Sequence, residues 1–213
     1  MLLHPAGHCS LYHAEFRDWR GYTTAMMRFL LEIQQELCEM HAAGFAHGDV
    51  KPSNMVCFAP DDAKFAKQQF LPDMRAILID FEHCVELKSS HRQLFSGTHR
   101  YASRRILLLS QGIGRSDITS ADQIEDFTYM TTDDFESLFY SALELLSSKR
   151  LPWCTGNIDI TASLTKRNAL FIDDAAWATQ LQSVPTEARP FLCRARTSLI
   201  RNPQLAPFVS FEQ

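Results

Sequence analysis

One polar stretch constrains the fold of this chain more than any other part of its sequence. Residues 47–54 read His-Gly-Asp-Val-Lys-Pro-Ser-Asn; an apolar helical pattern precedes them, and a strand-like run, Met-Val-Cys-Phe, follows them. We therefore expect a loop that joins a helix to a strand. An acidic base, a cation two residues later and an amide oxygen within one loop serve phosphoryl transfer, in which the protein mainly positions groups and neutralises charge.

The helix before this loop is predicted from its apolar periodicity. From Thr24 onwards, apolar side chains recur at alternating steps of four and three residues, which places them on one helical face. They are Met26, Leu30, Ile33, Leu37 and Met40. Gly44 is suited to end the helix. This stripe predicts core packing rather than a binding surface.

A second candidate metal ligand follows a short β-rich run. Residues 76–79 read Ala-Ile-Leu-Ile and lead directly into Asp80 and Phe81. The polar segment 60–73 separates this run from the strand at 55–58, so we expect a hairpin with a surface loop. Because Asn54 and Asp80 lie at the outer ends of the two strands, the hairpin can bring them together.

The rest of the chain is predicted to be mainly helical. Residues 96–103 form a loop that contains Gly97, and residues 110–132, with few apolar side chains, form a surface excursion. A helix follows, with Asp133 and Glu136 three residues apart as a capping box. Two further helices are expected at residues 173–181 and 190–201.

The composition excludes several classes of function. The chain has 213 residues, 46% hydrophobic and 22% charged, which suits one large globular domain. Its net charge of −4, with acids and bases interspersed, argues against nucleic acid as a partner. No apolar run approaches the roughly 20 residues that span a membrane, and the first residues lack the pattern of a secretory signal. Six scattered cysteines without a Cys-x-x-Cys pair predict reduced thiols and an intracellular protein, cytoplasmic or nuclear.

Taken together, the motifs resemble the C-terminal lobe of eukaryotic-type protein kinases, and most closely the casein kinase I group. Residues 47–54 are similar to the kinase catalytic loop, and Asp80-Phe81 is similar to the start of the metal-binding Asp-Phe-Gly motif. The motifs typical of the casein kinase I group are Gly97-Thr98, Tyr101-Ala102-Ser103, Asp133-Asp134-Phe135-Glu136-Ser137-Leu138 and Leu151-Pro152-Trp153. The resemblance covers residues 2–153, and several motifs in the correct order are far more specific than any one alone.

The resemblance implies a mainly α fold with a small β-hairpin, a protein-kinase-like C-lobe that lacks the N-terminal β-rich lobe. Residues 1–213 would form one partial kinase-like domain made of the hinge and the C-lobe. The implied activity is that of a Ser/Thr protein kinase, which transfers the γ-phosphoryl group of ATP to a protein hydroxyl. ATP and Mg²⁺ would be the cofactors, and a protein with a Ser or Thr acceptor would be the substrate.

By the same resemblance, four residues would carry the chemistry. Asp49 would accept or orient the proton of the substrate hydroxyl, and Lys51 would neutralise charge on the transferred phosphoryl group. Asn54 and Asp80 would hold Mg²⁺. The Asp49-x-Lys51 spacing favours a Ser or Thr acceptor over tyrosine.

Three further residues would support that site. Thr98 would lie near Asp49 and help to position the acceptor, and His47 would be structural rather than a base. Asp134 would reach back from its helix to hold the backbone of the catalytic loop. The plainer interpretation of Asp133 and Asp134 is helix capping, and we expect one of the two to do only that.

Three departures from the family pattern bear on activity. Residues 2–7 align with the fifth strand and the hinge, so the Gly-rich loop, strand lysine and helix glutamate of the N-terminal lobe have no counterpart. Glu82 stands where the family has glycine, which adds a carboxylate beside the metal ligands. Gly48 stands where the family has an arginine that binds a phosphorylated activation loop. We therefore expect weak Mg-ATP binding by this chain and no activation by phosphorylation of residues 82–100.

Two alternatives stay open at this point. A small-molecule kinase that resembles the choline and aminoglycoside kinases fits residues 47–49 and Glu82 well, but it leaves Lys51 and residues 97–103 unexplained. A non-catalytic pseudokinase or scaffold fits the missing lobe, but it leaves four retained catalytic positions unexplained. Measurements of Mg-ATP binding and of phosphoryl transfer would separate these interpretations.

Overall fold

The computed structural model describes residues 9–58, 69–87, 95–113, 128–154, 159–201 and 207–208. In this part of the chain helices predominate and a small antiparallel sheet accompanies them, which confirms the predicted mainly α fold with a small β part. The α-helices are α1 (Tyr22–Ala42), α2 (Arg104–Ile113), α3 (Thr131–Leu146), α4 (Ile160–Ile172), α5 (Asp174–Leu181) and α6 (Arg189–Arg201). The strands are β1 (Cys9–Ser10), β2 (Phe45–Ala46), β3 (Met55–Phe58), β4 (Arg75–Leu78) and β5 (Val85–Glu86).

Helix α1 is packed into the core along its length. The residues of its apolar stripe that are completely buried are Met26, Leu30, Ile33 and Leu37. They belong to one hydrophobic cluster with the buried face of α3. Gly44 follows the end of α1 with a φ of +91°, a backbone conformation that glycine adopts at little cost. Because α1 is anchored in this way, it fixes where the next loop begins.

The predicted hairpin is present as strands β3 and β4. They pair antiparallel, with Met55 opposite Leu78, in a three-stranded sheet of order β1-β3-β4. Strand β3 has the predicted bounds, and β4 begins and ends one residue earlier than predicted. The Ile79 N–H donates to the Asn54 carbonyl at 2.9 Å, so the hairpin places Asp80 beside the end of the 47–54 loop.

Two carboxylates of α1 occupy the open edge of β4. Glu32 accepts a hydrogen bond from the Ala76 N–H at 2.8 Å, and Glu36 accepts one from the Leu78 N–H at 2.7 Å. In a wider sheet, a neighbouring strand would supply these acceptors. The helix therefore takes the place of a fourth strand on this side of the sheet.

We expect Glu36→Gln to keep or raise the stability of the fold at neutral pH. Burial raises the pKa of Glu36 and outweighs the lowering effect of the Leu78 N–H. The folded state thus binds this proton more tightly than the unfolded chain, so stability falls as pH rises from about 4.3 through the folded-state pKa. Glutamine accepts the same N–H without a charge, so this decline should disappear. Urea unfolding at several pH values between 4 and 7 measures the effect.

Glu36→Ala is the matched control for this prediction. It also removes the charge, but it leaves the Leu78 N–H of a buried residue without an acceptor. We expect it to be about 1–3 kcal/mol less stable than Glu36→Gln. Equal stability of the two variants would contradict the role of the hydrogen bond, and an unchanged pH dependence in Glu36→Gln would contradict the sign of the pKa shift.

Two helices differ from the sequence-based expectation. Helix α2 extends into the segment 110–132, which was expected to be a surface excursion from its first residue. The Ser103 hydroxyl accepts the Ile106 N–H at 3.1 Å and so caps the start of α2. Helix α4 begins after Asp159, whose carboxylate accepts two N–H groups of the first turn. Both capping residues are visible in the sequence, and they mark helix starts that apolar periodicity alone does not reveal.

Helix α3 begins two residues before the predicted capping box. Asp133 is its third residue and accepts the N–H of Met130, the residue before the helix, at 2.9 Å. Glu136 does not cap the helix; it pairs instead with Arg104, with the Nε and Oε1 atoms 3.0 Å apart. The two helices predicted near the C-terminus are present as α5 and α6.

Some predictions fall on residues that the structure does not describe. The strand and hinge expected at residues 2–7 lie outside the described residues, as do most of the loop 60–73 and most of the segment 110–132. Among the described helices, none combines the length and apolar character required to cross a membrane.

Candidate active site

The loop of residues 47–54 is held at both ends by strands of different sheets. Before the loop, β2 pairs with β5, with Phe45 opposite Glu86. The loop ends in the single 3-10 turn Pro52–Asn54, which leads directly into β3, and β3 pairs with β1 and β4. The loop is therefore restrained from two sides, which suits a site that must hold charged groups in fixed positions.

Asp49 is the centre of a cluster of polar side chains. Its side chain is 3% exposed and accepts hydrogen bonds from the Lys51 ammonium group and, at 2.8 Å, from the Thr98 N–H. The Nδ2 atom of Asn54 lies 3.3 Å from the same carboxylate and donates to the Asp49 carbonyl at 3.0 Å. Lys51 also donates to the Thr98 hydroxyl at 3.0 Å. The fold thus brings four of the predicted site residues together.

These contacts determine the charge of Asp49. Burial by itself raises the pKa of Asp49, but the hydrogen bonds from Lys51 and Thr98 and the positive charge of Lys51 outweigh it, so the net pKa is lowered. The carboxylate is therefore ionised at neutral pH. It is able to accept a hydrogen bond from a hydroxyl group that enters the site.

Asn54 and Asp80 offer oxygen atoms that suit a divalent cation. Asn54 uses its Nδ2 atom for the bonds to Asp49, which leaves Oδ1 as the atom able to bind a cation. Asp80 is exposed and follows the residue that pairs with Asn54 across the hairpin. Amide and carboxylate oxygens are ligands of Mg²⁺, which commonly takes its remaining ligands from water and substrate phosphates. In the described parts of the chain, no group of three His, Cys, Asp or Glu side chains could hold a metal.

Asp80 has a strained backbone. Its φ of 69° and ψ of 66° place it in the left-handed region, and among the described residues no other non-glycine residue has a positive φ. Such a conformation costs roughly 1–2 kcal/mol and persists only where the surrounding structure imposes it. Strain of this kind is typical of functional sites, and here it falls on a candidate metal ligand.

His47 is completely buried, and both of its ring nitrogens bind the backbone. The Nδ1 atom accepts the Asp49 N–H at 3.3 Å, so Nε2 carries the proton and donates to the Ile79 carbonyl at 3.1 Å. The ring therefore links the 47–54 loop to the end of β4. A histidine whose two nitrogens are both engaged offers no free lone pair to a substrate proton.

Asp134, in the first turn of α3, holds the backbone of the loop. Its carboxylate accepts the His47 N–H at 2.7 Å and the Gly48 N–H at 3.0 Å, and the residue is 1% exposed. The Nε2 atom of His41 lies 2.9 Å from the same carboxylate and orients it. Asp133, by contrast, caps α3, so the two adjacent aspartates have separate roles.

Gly48 is enclosed by two neighbouring backbone segments. Its φ is +78°, and a Cβ atom at this position would lie 2.4 Å from the carbonyl oxygen of His83. On the other side, a Cβ atom at Gly97 would lie 2.5 Å from the Gly48 carbonyl oxygen, which also accepts the Tyr129 hydroxyl at 3.1 Å. Three separate segments of the site therefore meet through their backbones, and this arrangement has no space for a larger side chain at position 48.

Arg167, which no sequence pattern singles out, supports the segment that carries Thr98. It lies on α4, is completely buried, and donates to three backbone carbonyls. These acceptors belong to His99, Arg100 and Ala102. The guanidinium group lies over the rings of Tyr140 and Trp153, 4.9 and 4.6 Å from their centroids. Burial lowers the pKa of Arg167 because it disfavours the charged form. The carbonyl dipoles and the aromatic rings around the guanidinium group stabilise its positive charge here.

No protein-family model matches the chain, and no curated protein is significantly similar to it. A functional conclusion therefore depends on the chemistry of the site itself.

Proposed function

We propose that the chain is a phosphotransferase of the protein kinase type, which transfers the γ-phosphoryl group of ATP to a Ser or Thr hydroxyl of a protein. The observation that carries this proposal is the arrangement around the Asp49 carboxylate, where Lys51, Asn54 and Thr98 converge on one ionised group. Phosphoryl transfer requires mainly such positioning and charge neutralisation.

Each residue of the cluster has a role in this reaction. Asp49 accepts a hydrogen bond from the acceptor hydroxyl and receives its proton as the oxygen bonds to phosphorus and the bond to ADP breaks. Lys51, which bridges Asp49 and Thr98, places a positive charge where the transferred group carries negative charge. Thr98 holds both groups in position, because its hydroxyl accepts a hydrogen bond from Lys51 and its N–H donates one to Asp49.

Asn54 and Asp80 would hold Mg²⁺, which when bound neutralises the charge of the nucleotide phosphates. This assignment is supported by the hairpin, which brings Asn54 and Asp80 near one another, each with a side-chain oxygen that can bind a cation. His47 and Asp134 do not touch substrate in this mechanism; they fix the backbone that presents Asp49.

The proposal is tested by phosphoryl transfer from Mg-ATP to Ser- and Thr-containing peptides, with the full chain as catalyst. Asp49→Asn should lower kcat by about 100-fold or more, because a general base typically contributes on the order of 10²–10⁴. Asp174→Asn is the matched control: this carboxylate is 92% exposed, lies on α5, and should leave kcat unchanged.

Three outcomes would oppose the proposal. Equal rates for Asp49→Asn and the wild-type chain would show that Asp49 is not the general base. Transfer to choline or an aminoglycoside, and not to peptides, would favour a small-molecule kinase. Mg-ATP binding without transfer to any acceptor would favour a non-catalytic binding module.

A further inference from the structure

Cys9 and Cys57 lie directly opposite each other on neighbouring strands. Strands β1 and β3 pair antiparallel with Cys9 and Cys57 in register, and two residues along the Leu11 N–H donates to the Met55 carbonyl at 2.8 Å. Because hydrogen-bonded pairs recur at every second position, Cys9 and Cys57 also form such a pair, with Cα atoms about 5.5 Å apart. Disulfides most often join Cα atoms roughly 5.5–6 Å apart, which this pair matches. They also need Cβ atoms roughly 3.5–4.5 Å apart, whereas those of a hydrogen-bonded pair are about 5.5 Å apart, so the two strands must shift locally before the bond can form.

The two thiols also share one face of the sheet. Side chains of directly opposed residues point to the same side, and the Sγ atom of Cys57 lies 3.6 Å from the Cys9 carbonyl oxygen. Cys57 belongs to the main hydrophobic cluster, and Cys9 packs against that cluster. All six cysteines are thiols in this structure, and Cys9–Cys57 is the pair that the strand register places opposite one another in the described sheets.

We propose that Cys9 and Cys57 are a modification site, at which hydrogen peroxide converts the two thiols to a reversible disulfide. The Cys9 thiolate attacks a peroxide oxygen, the O–O bond breaks and hydroxide leaves, which gives a sulfenic acid. The Cys57 sulfur then attacks the Cys9 sulfur, the S–O bond breaks, and the oxygen leaves as water with the Cys57 proton. In total, two thiols and one peroxide give one disulfide and two water molecules.

The order of these steps follows from the surroundings of each sulfur. Cys9 is partly exposed on a strand of only two residues, whereas Cys57 is completely buried. Burial raises the pKa of the Cys57 thiol to about 12, so it is a poor first nucleophile for peroxide. Cys9 is therefore oxidised first, and local opening of β1 lets Cys57 complete the bond.

The disulfide would close the chain from residue 9 to residue 57 around α1 and the 47–54 loop. A crosslink over a segment of this length constrains the unfolded chain strongly, so we expect the melting temperature to rise by about 10 °C. The crosslink also ties β1 to the strand that begins one residue after Asn54. Oxidation would thus stabilise the part of the fold that carries the candidate site.

The experiment treats the reduced full chain with a few equivalents of hydrogen peroxide and maps disulfides by mass spectrometry without reduction. We expect a link between the peptide that contains Cys9 and the peptide that contains Cys57, removed by dithiothreitol. Trypsin leaves Cys38 and Cys57 in one peptide, since the Lys51-Pro52 bond resists cleavage, so Cys38→Ser resolves the assignment. The link and the rise in melting temperature should persist in Cys38→Ser.

Cys57→Ala and Cys9→Ser are the variants that should lose the link. Cys9→Ser changes a partly exposed side chain on a short strand, so it keeps the test decisive even if Cys57→Ala folds poorly. Three results would overturn the proposal: a link that survives in Cys9→Ser, a dominant link through Cys38 or Cys84, or oxidation of Cys9 beyond the sulfenic acid without any crosslink. A crosslinked chain whose melting temperature does not rise would contradict the expected stabilisation of the fold.

Discussion

Gly48→Ala should destabilise the fold by about 4 kcal/mol, a large fraction of the stability of an ordinary domain. A non-glycine residue at a φ of +78° costs roughly 1–2 kcal/mol. The added methyl group would also lie 2.4 Å from the His83 carbonyl oxygen, a backbone atom that cannot turn aside. Forced overlap in a packed region typically costs about 1–3 kcal/mol, occasionally more. Equilibrium unfolding in urea measures the sum.

Gly21→Ala separates the two contributions. Gly21 has the same φ of +78°, but a Cβ atom at its position would have no neighbour within 4 Å. We expect it to cost only the backbone strain, about 1–2 kcal/mol. If the two variants were equally stable, the close approach of His83 to Gly48 would not be a feature of the folded protein in solution.

Arg167→Met should destabilise the fold by about 4 kcal/mol and should also reduce phosphoryl transfer. Methionine fills much of the same space, but it removes the guanidinium donor from the carbonyls of His99 and Ala102, whereas the Arg100 carbonyl keeps the Trp153 indole N–H at 2.8 Å. Unpaired buried polar groups cost roughly 1–3 kcal/mol each, and a guanidinium group over two aromatic rings adds to the loss. The same segment begins at Thr98, so its loosening should disturb the Asp49 cluster. Arg167→Lys keeps the charge but not the planar fork, so its stability should fall between those of the wild-type chain and Arg167→Met.

Arg196→Met is the control for Arg167→Met. Arg196 donates to two backbone carbonyls and also lies over a ring, with its guanidinium group 5.4 Å from the centroid of Trp177. Its acceptors belong to Leu170 and Phe171 and not to residues 97–103. We expect a smaller loss of stability, about 1–2 kcal/mol, and unchanged transfer at temperatures where the variant is folded. Equal loss of activity in both variants would indicate a general effect on the fold and not support of the Thr98 segment.

Elements whose signal lies in consecutive residues were predictable from the sequence. The four-and-three spacing in α1 and the β-rich runs of β3 and β4 specify which face is buried without reference to the rest of the chain. Helix α4 has a weaker apolar pattern and α2 is only 10 residues long, and the starts of both depend on the caps Ser103 and Asp159. Capping side chains act locally, so closer attention to Ser and Asp before each segment would have predicted both helices.

The candidate site was predictable only in part. Lys51 and Asn54 follow Asp49 so closely that a tight loop brings them together. Thr98, by contrast, is 49 residues away from Asp49, and its place in the site was implied by family resemblance and not by any local pattern. Contacts of that range depend on how helices and strands pack, which short sequence motifs do not encode.

Arg167 and the enclosure of Gly48 show what lay beyond prediction. An arginine among polar helix residues is ordinarily exposed, yet Arg167 is completely buried. The carbonyls that it binds are 65 or more residues away in the sequence. Gly48 could be recognised as a departure from the kinase pattern. That the His83 carbonyl fills the space beside it depends on the turn after the strained Asp80.

The carboxylates of Glu32 and Glu36 along β4 have a consequence for self-association. An uncovered strand edge is a template to which a strand from another molecule can add, and this is how many folded proteins begin to aggregate. Here both outward N–H groups, those of Ala76 and Leu78, are already bonded to side chains of the same molecule. A strand from a second copy would have to displace one of these carboxylates for each of the two N–H groups that it bonded. The helix beside the sheet thus protects this edge from edge-to-edge polymerisation.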